Sequence, residues 1–100
     1  MKDYCGKTIS ANYVHVGAVF KTQEAIGGKL SFDESGMEFN EHKLNVRSVG
    51  TVRIEYADIK EAKKRGILNG VDVVTNDGTV HMLVVSHRKD IIEFIMSKIG

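Results

Sequence analysis

The side chains best suited to chemistry in this sequence are one thiol, Cys5, and four imidazoles, His15, His42, His81 and His87. A zinc site needs three or four ligands with fixed supporting partners, and no pair here has C-x-x-C or H-x-x-x-H spacing. No metal is expected, and nothing in the residues calls for another cofactor. Cys5 stands near the N-terminal end without a placed base, there is no G-x-S-x-G elbow, and no glycine-rich loop is set to cradle a phosphate. The pair Gly27-Gly28 falls inside a strand pattern, where it permits bending. No catalytic residue is expected, and the chain reads as a non-enzyme.

Binding by charge is the next chemistry to weigh. Fourteen Lys plus Arg oppose thirteen Asp plus Glu, a net charge of +1, so no global field draws the chain to nucleic acid or anionic lipid. Nor are basic residues interleaved with aromatics as on a single-strand platform, so no nucleic-acid partner is expected. The densest basic run, Lys60, Lys63, Lys64 and Arg65, is broken by Glu61 and reads as a solvated strand edge whose lysines discourage aggregation.

The elements that must position these residues belong to one domain spanning 1–100, with its core over about 11–99, since 100 residues suffice for one hydrophobic core. With 42% hydrophobic and 27% charged residues and no low-complexity tract, the chain is of ordinary globular type. A lone cysteine excludes an internal disulfide, and Met1-Lys2-Asp3-Tyr4 has no apolar run behind it. Neither a signal peptide nor a spanning helix is expected, and the location read from this is cytoplasmic, with peripheral membrane association left open.

Alternation sets the strands. Val14, Val16, Ala18 and Phe20 share one face of a first strand over Tyr13 to Phe20, with Gly17 as a bend point, and 21–24 reads as the turn that follows. Leu30 and Phe32, then Met37 and Phe39 across Asp33-Glu34-Ser35-Gly36, make a hairpin with one buried face. Leu44 and Val46 suggest a short extended piece. Val52, Ile54 and Tyr56 point inward on another strand. Ala57 to Arg65 has helix-forming residues and a passable capping box, yet too little apolar surface to dock. If Asp77-Gly78 forms a two-residue turn, Thr75 pairs with Val80, Val73 with Met82 and Val71 with Val84 on the core face. Val74 then faces His81, and Asp72 faces Leu83, on the other side. A helix over about 87–99 carries Ile92, Ile95, Met96 and Ile99 in a stripe widened by Ile91 and Phe94.

Several pieces of this pattern together resemble the GRAM domain family. They are Ala11-Asn12, Glu24-Ala25-Ile26-Gly27-Gly28-Lys29-Leu30, Phe39, His42-Lys43-Leu44-Asn45, Asp58-Ile59, Asn69-Gly70, Asp77-Gly78, Val84-Val85 and Arg88. They run from about Ala11 to Ile95 and look most like the small, free-standing bacterial form. The resemblance implies a pleckstrin-homology-like fold: a mainly β, seven-stranded bent sandwich or barrel capped by a C-terminal helix. It also implies a strand over the ambiguous stretch around Asp58-Ile59. In larger relatives the family implies binding to phosphoinositides, other membrane lipids or proteins. Three departures stand out: an acidic turn at Asp33-Glu34, Ile91 where the family often has Trp, and a long connection between Asn12 and Glu24.

Two binding functions follow as expectations. The first is a protein-interaction or self-association module using an exposed strand edge or the face of Val74, His81 and Leu83. The second is a peripheral lipid-binding module in which Lys21 of the first loop and Lys43 and Arg47 of the third converge at one end of the sheet, beside Glu24 and Glu41. Near-neutral charge favours the first.

Overall fold

The computed structural model describes residues 3–16, 23–42, 50–66 and 69–99. Among these residues seven strands form one antiparallel sheet: β1 (Thr8–Val16), β2 (Gln23–Phe32), β3 (Gly36–Glu41), β4 (Thr51–Glu55), β5 (Ile59–Arg65), β6 (Gly70–Thr75) and β7 (Val80–Val85). A single 3₁₀ turn, Tyr56–Asp58, joins β4 to β5, and helix α1 (Arg88–Ile99) closes the order. The sheet runs β4-β3-β2-β1-β7-β6-β5 and curls on itself as a half-barrel, so β4 and β5 are its two edges. This is the pleckstrin-homology-like architecture expected from the sequence.

The hairpin of β2 and β3 follows the alternation. Leu30 faces Phe39 and Phe32 faces Met37, and all four are buried in the core. Ile54 and Tyr56 are buried beside them, with Val52 packed against the same cluster. The stretch with helical propensity is strand β5, because pairing with β6 buries Ile59 and Ala62 where a short isolated helix would leave them wet.

Two readings are corrected at the N-terminal end. β1 begins at Thr8, and it is Ile9, Ala11 and Tyr13 that face the core, with Val14 on the opposite side. The valines were the stronger signal, but the pairing of β1 with β2 and β7 fixes the face. Gln23 and Glu24 belong to β2 rather than to a turn, while Gly17, Ala18, Phe20, Leu44 and Val46 lie outside the described residues. Tyr4, outside the core expected over about 11–99, is 4% exposed, its ring 5.5 Å from Phe32 and 5.7 Å from Phe94. The Gly6 amide donates to the Phe32 carbonyl at 2.8 Å and fastens this segment to the end of β2. Cys5 is half-buried there against the core.

Helix α1 buries Ile91, Phe94 and Ile95 and leaves Met96 40% exposed, a face rotated from the predicted stripe. Phe94 sets the rotation. Its ring meets Phe32 at 5.5 Å, Tyr4 at 5.7 Å and Tyr56 at 6.1 Å, all in edge-on or near edge-on contact. The helix packs along β5, where the Ala62 amide donates to Met96 Sδ at 3.3 Å, so that edge of the sheet is covered. Among the described residues no helix is long and apolar enough to cross a membrane.

Candidate functional site

The other edge, β4, borders an open groove of about 490 Å³ whose far wall is the turn between β6 and β7. That volume lies within the usual range of ligand sites. Its floor is formed by Ile54, Thr75 and His81. Backbone pairing decides what β4 offers the groove. The Tyr56 amide donates to the Ser35 carbonyl at 2.9 Å, continuing the register in which Ile54 faces Met37 and Val52 faces Phe39. Alternation in an antiparallel ladder then turns the amides and carbonyls of Thr51, Arg53 and Glu55 away from β3, toward the open side.

The charged side chains that line this groove among the described residues are mostly acidic: Glu55 beside β4, and Asp58 and Asp77 at the end where the Asn76 amide donates to the Asp58 carbonyl at 2.8 Å, against one cation, Arg53. Arg53 is already engaged. Its guanidinium donates to both oxygens of Asp33, to Ser35 Oγ at 2.8 Å and to Glu55 Oε2 at 3.2 Å. Asp33 also accepts from the Ser35 and Gly36 amides at 2.9 Å each, which shapes the β2–β3 turn. The Arg53 hydrogen bond, followed by the Ser35 amide, holds the Asp33 carboxyl well below the usual carboxylate range. The Tyr56 hydroxyl donates to the Asp33 carbonyl at 3.1 Å, and burial pushes its pKa up to about 12.

Asp77 is fixed by the turn it helps to build. Its Oδ1 accepts from the Thr75 hydroxyl and from the Thr79 amide, which together lower its pKa to about 2. The carboxylate is therefore charged throughout the physiological range. Opposite it, the His81 ring is half-buried, its Nδ1 2.8 Å from the Tyr13 hydroxyl, and burial lowers its pKa. Tyr13 in turn lies 5.7 Å from Phe39, so this pair joins the groove to the core.

The turn itself corrects the predicted site. The Thr75 amide donates to the Thr79 carbonyl at 2.9 Å, the Gly78 amide donates back to the Thr75 carbonyl at 3.0 Å, and Gly78 has φ +90°. The loop is thus three residues long, with Gly78 in the left-handed position, rather than two. Every later pairing shifts by one residue: Val74 faces Val80, Val73 faces His81, Asp72 faces Met82 and Val71 faces Leu83. Leu83 is 1% exposed and belongs to the core, so it contributes nothing to a surface. His81 also points to the inner side, and of the predicted trio only Val74 lies on the outer face. That face instead carries Val74, Val80, Met82 and Val84, with Val14 of β1 beside Met82, and Val80 is 50% exposed. Lys21, Lys43 and Arg47 lie outside the described residues.

Several of the residues that carry the family resemblance gather elsewhere. Asn12, Gly27, Gly28, His42 and Asn69 border a depression of about 270 Å³ that no Asp, Glu, Lys or Arg lines among the described residues. Their part there is structural. A Cβ on Gly28 would stand 2.3 Å from the Asn40 carbonyl oxygen, the His42 amide donates to the Gly27 carbonyl at 3.0 Å, and Arg88 donates to the carbonyls of Arg65, Gly66 and Gly70. No cluster of three or more His, Cys, Asp or Glu suited to a metal occurs among the described residues.

No family profile matches the sequence, and no curated protein matches it. Solved structures do share its fold. The chain is similar to the C-terminal domain of an unknown protein from Leishmania infantum, at 20% identity and TM-score 0.63, over 89% of this chain and 79% of that one. It is also similar to the N-terminal pleckstrin-homology domain of human ARAP2, at 19% identity and TM-score 0.63, over 94% of this chain and 80% of that one.

Proposed function

We propose that this chain is a non-catalytic binding module of the GRAM type, a single domain whose partner is a protein rather than an anionic lipid headgroup. The fold is one commonly used for binding proteins or lipids. The observation that carries the choice is the groove beside β4, where Glu55, Asp58 and Asp77 outnumber an Arg53 already held by Asp33. Among the described residues a phosphate entering there meets like charge and an Arg53 fork already held, whereas an anionic membrane rewards each basic residue by about 1 kcal/mol. The apolar outer face of Val74, Val80 and Met82 adds surface of the kind that proteins bury against one another, including a second copy of this chain.

Flotation with phosphoinositide-containing vesicles at two ionic strengths, run beside sedimentation of the protein alone, tests this reading. The expected result is no vesicle capture at about 0.15 M salt, where screening confines any field to about 8 Å. Submicromolar, headgroup-selective capture that is lost in Lys43→Glu and Arg47→Glu would make the lipid module the better reading.

A further inference from the structure

We propose that the groove takes a short extended segment of a partner protein, rich in Lys or Arg, which pairs through its backbone with β4 as an added strand. The inference rests on the protein-binding reading and goes further in naming the partner's chemistry and its mode of attachment.

Three features on the molecule lead to it. First, of the sheet's two edges only one is covered among the described residues: β5 lies under α1, with its Ala62 amide donated to Met96, while β4 pairs there with β3 alone. Second, the backbone groups of Arg53 and Glu55 face outward at the spacing an incoming strand needs, and no hydrogen bond engages them among the described residues. Third, the space beside them is bounded. The β6–β7 turn forms an opposite wall, so a strand laid against β4 enters a groove of about 490 Å³ instead of standing free in solvent.

Charge selects the occupant. The added strand would lie along Arg53 and Glu55 and end against Asp58 and Asp77, where the Asn76 amide donating to the Asp58 carbonyl at 2.8 Å closes the groove, with Arg53 neutralised by Asp33. Side chains at alternate positions of an extended segment point the same way, so a Lys or Arg at every second residue would meet these carboxylates repeatedly. A second copy of this chain would bring the same carboxylates and is the weaker occupant. Nothing in this pairing needs a conformational change in β4, whose geometry is already set by the Arg53–Asp33 contact.

The test uses a blocked peptide of strictly alternating lysine and valine, titrated calorimetrically into the whole protein. Two control peptides accompany it, one with glutamate for lysine and one with N-methylated amides at alternate residues. The lysine peptide is expected to bind with micromolar affinity, more weakly at higher salt, and about tenfold more weakly to the double variant Asp58→Asn, Asp77→Asn. Asparagine keeps the Oδ1 acceptor on which the Asp77 turn depends, so the variant, somewhat less stable, still folds, as a cooperative urea transition checks. Both control peptides are expected to fail.

Equal binding of the N-methylated peptide would overturn strand addition, and equal binding of the glutamate peptide would overturn the charge assignment. No binding of the lysine peptide, or a dimer of the protein lost in the double variant, would overturn the basic-segment proposal while leaving a protein partner standing. Vesicle capture in the flotation experiment would instead overturn the protein reading itself.

Discussion

Arg65 Nη1 donates to Asp72 Oδ2 at 2.9 Å across the outer face of β5 and β6, and Asp72 is held there at 5% exposure. The other carboxylate oxygen, Oδ1, is buried with no hydrogen-bond partner. Removing the arginine leaves a buried carboxylate without its one strong donor. Arg65→Met should lower stability by about 1 to 3 kcal/mol, the cost of an unsatisfied buried polar group, as read from urea unfolding. If Asp72→Asn in the Arg65→Met background does not recover part of the loss, the ion pair is not what holds this corner.

The helix supplies a second contrast. Ile95 is fully buried and Glu93 is exposed on the same helix. Ile95→Ala should cost about 2 to 5 kcal/mol through lost burial and a residual cavity, and Glu93→Ala should be mild. Equal denaturant midpoints for the two variants would mean that α1 does not close the core.

The paired glycines separate in the same way. A Cβ on Gly27 would find its nearest atom, Asn12 Oδ1, at 3.3 Å, whereas one on Gly28 would stand 2.3 Å from the Asn40 carbonyl oxygen and 2.9 Å from the Glu41 Cα. Backbone cannot retreat as a side-chain tip can. Gly28→Ala should therefore destabilise by about 1 to 3 kcal/mol or prevent folding, and Gly27→Ala should cost clearly less in thermal melts.

Acid should weaken the fold in two stages. Burial lowers the His81 pKa, so as pH falls the unfolded chain takes up that proton first. Stability is intact above the unfolded value of about 6.5 and declines below it. Asp33 and Asp77, whose folded values are depressed, add stability that is complete above the ordinary carboxylate range and is lost only at more acidic pH. Urea midpoints measured from neutral to mildly acidic pH should slope downward in the wild type and flatten in His81→Gln. A slope unchanged in His81→Gln would assign the first stage to another group.

How much of this was legible beforehand depends on what fixed each element. The β2–β3 hairpin was readable because Leu30, Phe32, Met37 and Phe39 alternate cleanly around a turn whose Asp33 caps its own backbone. The final hairpin was not, because Asp77-Gly78 suits a two-residue and a three-residue loop equally well and both neighbouring strands are apolar on both faces. One residue of register moved Leu83 into the core and brought Val80 and Met82 to the surface. The groove was illegible for a different reason. Arg53 and Glu55 are outward residues of an ordinary alternating strand, and Asp77 lies more than twenty residues further on; only the curl of the sheet brings them to one space. That Arg53 is spent on Asp33, across a turn and a strand, has no signal in local sequence.

The most direct test of a protein-binding groove is the change in backbone amide proton–nitrogen spectra on titration with two ligands separately, the lysine–valine peptide and a water-soluble short-chain phosphatidylinositol phosphate. The account predicts that the peptide shifts the amides of Thr51 to Glu55 and Asn76 to Val80, and that the phosphoinositide shifts neither set. Saturable shifts with the phosphoinositide, together with none in β4 on adding the peptide, would contradict it.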